Sequence, residues 1–194
     1  MPVPVSLAGV DEAGRGPLAG PVVAAAVVLG QGSSISGLGD SKTITPARRK
    51  SLAQAIYEQA DDWGVGMASV EEIDQYNILQ ATFLAMERAV RALTHYPELT
   101  LVDGNQRPLL GCRVKTVVKG DHRVLAIGAA SIIAKVCRDL IMTELETTYP
   151  GYGFANHKGY PTREHLAALR TRGVTPVHRT SYKPVKEILA LHEK

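Results

Sequence analysis

The sequence predicts an α/β layer architecture built on a mixed sheet, and three features carry that prediction. Two apolar runs open the chain with only a short break between them, so the first two strands are neighbours along the chain. Strand-like runs then alternate with stretches of helical periodicity, the pattern that lays helices over a sheet. The 194 residues, 45% hydrophobic and 21% charged, suffice for one buried core without disulfide or metal staples.

Val5 to Asp11 reads as a buried strand, broken by Gly14, Arg15, Gly16, Pro17 and Gly20. Pro21 to Leu29 is the second, with Val22, Val23, Val27 and Val28 as its β-branched content and alanines between them that weaken the signal. A Gly- and Ser-rich loop covers Gly30 to Gly39. Thr45-Pro46 is a helix start, a hydroxyl cap followed by Pro at the first helical position, and that helix runs to about Ala60. Trp63 to Val70 is the third strand. Ile73 to Leu93 is helical, in one piece or two, and Pro97 lies beyond its end. Leu99 to Asp103 and Val114 to Val118 are the fourth and fifth strands, and Val124 to Thr148 is a long helix. Pro150 to Pro161 is an aromatic and glycine loop, Thr162 to Thr171 a helix, His178 to Pro184 a basic loop, and Val185 to His192 a closing helix. Residues 1–150 form the expected core. Residues 151–194 form a basic loop and helical extension continuous with it.

No run of about 18 apolar residues is present, which excludes a membrane-spanning helix by composition. The N-terminus lacks a basic region followed by an apolar core, so secretion is not expected. Cys112 and Cys137 fit neither a disulfide framework nor a zinc spacing and read as reduced thiols of a cytoplasmic protein. Charge is unevenly spread. Residues 1–103 carry 7 Lys and Arg against 12 Asp and Glu, a balance of −5; residues 104–194 carry 15 against 7, a balance of +8. Such a split suits an acidic centre from one half and a polyanion-facing surface from the other, although solvated basic helix faces would give the same count.

Asp11-Glu12, Asp103 and Asp121 each follow an apolar run and lie near a glycine. Strand ends bring side chains to a common sheet edge. Converging carboxylates raise one another's pKa unless a cation neutralises them, and a carboxylate-only donor set selects Mg²⁺ or Mn²⁺. In a regular strand Asp11 and Glu12 would face opposite ways, so the glycines after them suggest that the chain is already turning at Glu12. Each acid alone could equally be a turn or cap residue.

The segment Gly9-Val10-Asp11-Glu12-Ala13-Gly14-Arg15-Gly16-Pro17 resembles the opening motif of ribonuclease HII. So, in the family's order, do Asp40-Ser41-Lys42, Tyr76-Asn77-Ile78-Leu79-Gln80, Val102-Asp103-Gly104-Asn105, Lys119-Gly120-Asp121, Ala130-Ser131-Ile132-Ile133-Ala134-Lys135, His157-Lys158-Gly159-Tyr160-Pro161 and His178-Arg179-Thr180-Ser181-Tyr182. The resemblance implies a ribonuclease H-like fold, a five-stranded mixed sheet flanked by helices with a small helical C-terminal part. It implies a divalent-metal endonuclease, using Mn²⁺ or Mg²⁺, that cuts the RNA strand of RNA–DNA hybrids and nicks 5′ of a lone ribonucleotide in duplex DNA. It places catalysis and metal binding on Asp11, Glu12, Asp103 and Asp121. It makes Gly14, Arg15 and Gly16 a backbone-and-guanidinium element against the substrate, and Tyr160 the group that senses the ribose 2′-hydroxyl. By the same resemblance Lys42, Asn77, Lys119, Ser131, Lys135, His157, Lys158, Arg179 and Ser181 are phosphate and backbone contacts. Taken alone, Arg15 could be an exposed turn residue, Tyr160 a structural aromatic and the others solvated surface. Two departures, Thr43 after Lys42 and Gln106 before Arg107, bear on backbone contacts and leave the acids untouched. No clamp-binding motif is evident near the C-terminus, and a monomer is expected. The competing readings are a catalytically silent hybrid-binding module on the same fold and a DNA-junction nuclease, against which the Tyr160 loop argues.

Overall fold

The computed structural model describes residues 6–33, 35–38 and 44–192. Lys42, with the Asp40-Ser41-Lys42 segment and Thr43, lies outside the described residues. Five strands, β1 (Leu7–Ala13), β2 (Val22–Val28), β3 (Asp62–Ala68), β4 (Leu99–Asp103) and β5 (Arg113–Val117), form one sheet in the order β3-β2-β1-β4-β5. The β1–β2 and β2–β3 pairs are antiparallel, whereas β1–β4 and β4–β5 are parallel, so the sheet is mixed as expected. Because β1, β4 and β5 run the same way, their C-terminal ends share one edge. That edge carries Asp11 and Glu12, Asp103, and the 3₁₀ turn Gly120–His122 with Asp121.

Helices cover both faces: α1 (Pro46–Gln59) and α3 (Leu125–Thr148) lie on one, α2 (Val70–Arg91) on the other. The β2 alanines find their reason here. Ala24 and Ala26 pack toward α2 and Ala25 toward α1 and α3, all fully buried, so the middle strand has helices close on both sides and no room for larger residues. A Cβ on Gly66 or Gly64 would strike α2 backbone, and one on Gly9 would strike the start of α3 at Ala126 and Ile127.

Helix boundaries follow local chemistry. Thr45 caps α1, accepting the Arg48 N–H, with Pro46 at the first helical position. The second helix starts at Val70, earlier than periodicity indicated, because Ser69 and Glu72 form a capping box. It is kinked at Asn77, whose backbone (φ 70°, ψ 163°) is non-helical and whose side chain accepts the Leu79 and Gln80 N–H groups, recapping the second piece.

Beyond α3 come a helical turn α4 (Phe154–His157), inside a segment expected to be plain loop, then α5 (Arg163–Arg172) and α6 (Lys183–His192). Tyr152, Phe154, Leu169, Val185 and Ile188 pack with Leu18, Ala19 and Met142, so this part shares a core with the rest of the chain. Among the described residues no helix is long and apolar enough to cross a membrane.

Candidate active site at the sheet edge

One expectation fails at the first acid pair. The chain does not turn at Glu12: β1 stays paired through Glu12↔Ala24 and Ala13↔Val23. Backbone alternation therefore holds, and yet the two carboxyl groups meet at the sheet edge, where the Asp11 and Glu12 side chains share a hydrogen bond. Asp11 lies on the α3 side, where the Ser131 hydroxyl donates to it and its Oδ1 accepts the Glu12 N–H at 2.7 Å. Glu12 reaches both the cleft against α3 and the smaller recess against α2, and pairs with Arg15 at 3.3 Å. Burial, with Glu12 and then Asp103 adding repulsion, holds the Asp11 carboxyl well above the usual carboxylate range. The Glu12 carboxyl is also raised by burial, with Arg15 pulling it back.

Asp103 ends β4, and its Oδ1 accepts the Gly120 N–H at 2.6 Å, which fixes the turn carrying Asp121. Gly128 lets that turn sit against α3, since a Cβ there would lie 2.9 Å from the Asp121 carbonyl. Asp121 pairs with His122 at 3.4 Å. Two recesses meet at Glu12. A cleft of about 490 Å³ is lined by Glu12, Arg15, Asp121, Ser131, Lys135 and Tyr160, among others. A smaller recess of about 70 Å³ joins Glu12 to Asp103, Phe83 and Met86. Among the described residues no three His, Cys, Asp or Glu side chains already form a cage for an ion. The donor set nonetheless fits a hard divalent cation: carboxylates only, two of them raised by burial, with the acids repelling one another. Mg²⁺-type sites commonly take one or two carboxylates and complete their shell with water and substrate phosphate.

The loop after β1 is shaped by two arginines that sequence reasoning treated differently. Arg138 on α3 was missed, because arginine is the last residue a periodicity argument buries. Its guanidinium donates to the carbonyls of Pro21 (3.0 Å), Ala19 (2.9 Å) and Lys158 (2.9 Å). It lies so close to Gly14 (φ 101°) that a side chain there would collide with it as well as strain the backbone. Arg179 was expected to contact phosphate, and the structure corrects this. It is fully buried and donates to the carbonyls of Gly14 (2.6 Å), Arg15 (3.0 Å) and Gly20 (2.8 and 3.0 Å) and to the Tyr182 hydroxyl. Among the described residues neither guanidinium has a carboxylate within ion-pair distance.

The remaining predicted contacts divide. Gly14, Arg15, Gly16, Ser131, Lys135 and Tyr160 line the larger cleft. Tyr160 is 46% exposed, and its ring faces Gly16: a Cβ on that glycine would lie 3.4 Å from it. Lys135 pairs with Asp139 on the next helical turn. Lys119 is exposed at the head of the Asp121 turn, and Asn77 is exposed at the kink. Lys158 reaches back to Thr143 Oγ1 at 3.1 Å. Ser181 is tied to Asp74 by its hydroxyl (2.5 Å) and its N–H (2.9 Å). His157 does not reach the cleft with a free nitrogen: Nδ1 accepts the Gly159 N–H and Nε2 meets the Tyr152 carbonyl. These last two serve the loop architecture, a correction to their reading as substrate contacts. Leu38, Ile44, Arg49 and His122 also line the cleft and carried no signal in the motifs.

Comparison with known proteins agrees with this fold. The family model for ribonuclease HII matches residues 8–185. The chain is 56% identical to the ribonuclease HII of Nitrosococcus oceani over 94% of this chain and 91% of that one. It is 57% identical to ribonuclease HII 1 of Methylibium petroleiphilum over 94% and 92%. Among solved structures, the ribonuclease H2 of Pyrococcus horikoshii superposes with a TM-score of 0.81 at 28% identity, covering 97% of this chain and 99% of that one.

Proposed function

Since this chain belongs to the ribonuclease HII family and is a ribonuclease H acting on RNA–DNA hybrids, we propose that it also nicks duplex DNA on the 5′ side of a single embedded ribonucleotide, leaving a 3′-hydroxyl and a 5′-phosphate. The observation that carries this reading is the placement of Tyr160 against Gly16, in the same cleft as Glu12 and Asp121. Phosphate contacts cannot tell one ribose from many deoxyriboses, whereas a phenol beside a closely approaching backbone can read a 2′-hydroxyl.

Asp11, Glu12, Asp103 and Asp121 would hold Mn²⁺ or Mg²⁺, which when bound as a pair supplies charge neutralisation at the phosphodiester and activation of water. The protein's own groups set the geometry. Ser131 orients Asp11, the Gly120 N–H orients Asp103, and Arg15, anchored through its carbonyl by Arg179 and Tyr182, presents its guanidinium beside Glu12. Arg15 can fork a phosphate oxygen pair. Lys135, paired with Asp139, lines the cleft, and Lys119 is exposed at the head of the Asp121 turn.

The direct test is nicking of a duplex with one ribonucleotide in Mg²⁺ and in Mn²⁺, read at nucleotide resolution. A cut 5′ of the ribonucleotide is expected, and its absence in both metals rejects the proposal. Tyr160→Ala is expected to lower kcat/KM on that duplex more than on a continuous hybrid, where neighbouring 2′-hydroxyls help to hold the strand. Tyr160→Phe separates the hydroxyl from the ring. If Tyr160→Ala nicks the single-ribonucleotide duplex as wild type does, the tyrosine is structural.

Docking is expected to be salt-dependent, with log K falling against log [salt] by roughly 0.9 per phosphate contacted. Lys119→Ala should reduce that slope by about one, weakening all duplexes alike. A slope near zero in the wild type would mean that the basic half is not the docking surface.

A further inference from the structure

Three imidazoles behind the Tyr160 loop do no work in the mechanism above. His165 and His178 are among the most deeply buried side chains of the chain, at 0% and 1% exposure. Their Nε2 atoms lie 3.1 Å apart. His165 Nδ1 is 2.9 Å from the Tyr160 carbonyl. His178 Nδ1 is 3.0 Å from the Thr175 N–H.

The partners fix the protons. A backbone carbonyl only accepts, so His165 Nδ1 carries hydrogen. A backbone N–H only donates, so His178 Nδ1 is bare and accepts from the Thr175 N–H, with the Thr175 hydroxyl 2.8 Å away. One proton then fits between the two Nε2 atoms, and it sits on His178, donating to the lone pair of His165. The row is complete when both rings are neutral. A further proton on His165 would set two N–H groups facing each other. Burial first, and then His165, pushes the His178 pKa down to about 4, and burial lowers that of His165. The groups facing the pair are consistent with this. His157 stacks on His165 at 4.6 Å and is itself committed to Tyr152 and Gly159, Glu164 is the nearby acid, and Tyr152 and Phe154 close the apolar side.

The row has an anchor at each end. His178 bridges Ala19 in an antiparallel pair, and Gly20 N–H donates to the Val177 carbonyl at 2.8 Å. Leu18 N–H donates to the Gly159 carbonyl at 2.8 Å. Thus the segment just after Gly16 holds the Tyr160 loop twice, once directly and once through the two histidines. Both walls that would close on a ribose are set by this segment. A displacement of about 1 Å in such a position can cost about a hundredfold in rate.

We propose that His165 and His178 form a positioning pair for ribonucleotide recognition, setting the Tyr160 carbonyl, and hence its ring, against Gly16 through a fixed pair of tautomers. This rests on Tyr160 being the ribose sensor. Neither histidine touches substrate.

The test compares kcat/KM on a single-ribonucleotide duplex and on a continuous hybrid for wild type, His178→Leu and His178→Gln, each also in a Tyr160→Ala background. His178→Leu removes the donor between the rings and is expected to lower the ratio of the two rates about five- to tenfold, the worth of one buried hydrogen bond. Glutamine places an amide N–H near the position of Nε2, so His178→Gln is expected to keep the ratio within about twofold of wild type. In the Tyr160→Ala background His178→Leu should not change the ratio further. Nitrogen-15 spectra of the wild type should show His165 as the Nδ1–H and His178 as the Nε2–H tautomer, a readout that needs no variant to fold. Equal losses on both substrates in His178→Leu, or the opposite tautomers, overturn the proposal. If instead Tyr160→Ala leaves the ratio unchanged while His178→Leu lowers it, the sensor reading itself is what fails.

Discussion

Asp11→Asn, and separately Asp103→Asn, is expected to abolish cleavage while duplex binding survives and the fold holds. Each substitution removes one ligand charge and keeps the shape. In Asp11→Asn the amide oxygen can still accept from Ser131 and from the Glu12 N–H, so the β1 edge keeps its hydrogen bonds. What is lost is the charge that a divalent cation needs. The loss should be at least about a thousandfold, the scale of removing one preorganised charge-stabilising group. Stability should move the other way. Asp11 is pressed by burial, Glu12 and Asp103 when no cation is bound, and the amide relieves that repulsion, so the metal-free variant is expected to melt at or above the wild-type temperature. Binding should keep its salt dependence, because the basic half is untouched. Near-normal nicking by either variant at saturating Mg²⁺ would remove that acid from the metal site. A large fall in Tm would show that the carboxylate is structural instead.

That a carboxylate set crowns one sheet edge could be read from the chain because Asp11 and Asp103 directly follow apolar runs and Asp121 comes three residues after the end of one. The parallel direction of β1, β4 and β5 does the rest: it turns three separate strand ends into one edge. The helix that starts at Val70 was readable in principle from Ser69 and Glu72, whose three-residue spacing is a capping box, but apolar periodicity alone picks it up only at Ile73. Glu12 was misread because Gly14 and Gly16 announce a turn without saying where it begins; pairing of Ala13 with Val23 carries the strand one residue past the acid. The least legible part is what supports the site. Arg138, Arg179, His165 and His178 are polar residues that periodicity assigns to the surface. Their burial depends on carbonyls from Gly14 to Pro21 and from Lys158 to Tyr160 arriving from distant parts of the chain. Motif resemblance marked Arg179 and His178 as important but could not separate a residue that touches substrate from one that builds the loop.

Arg179→Ala is expected to be the most destabilising single change away from the apolar core. The guanidinium has no carboxylate partner among the described residues and satisfies the carbonyls of Gly14, Arg15 and Gly20 instead. Alanine leaves those acceptors unpaired and opens a void behind them. Each buried acceptor left without a partner costs about 1–3 kcal/mol, and rehydration recovers part of it, so a net loss of about 3–5 kcal/mol is expected. Against a typical total of about 5–15 kcal/mol that is a large fraction. For a chain of this size it corresponds to a fall in Tm of roughly 6–20 °C. Arg179→Lys should recover less than half, because an ammonium on a flexible stem cannot reproduce the planar fork that spans Gly14, Arg15 and Gly20 together. Arg170→Ala, at an exposed position of α5, is the control and should stay within about 0.5 kcal/mol of wild type. Function should suffer beyond stability. Below the variant's melting temperature, nicking of the single-ribonucleotide duplex should still fall, since the Gly14 and Arg15 carbonyls are no longer pinned and the loop facing Tyr160 can drift. Urea denaturation of the three variants beside wild type measures the first effect, and kcat/KM at a temperature where all are folded measures the second. Should Arg179→Ala unfold at the same urea concentration as Arg170→Ala, the carbonyl network contributes nothing to stability. Should it be destabilised yet nick normally when folded, the arginine supports the fold without shaping the site.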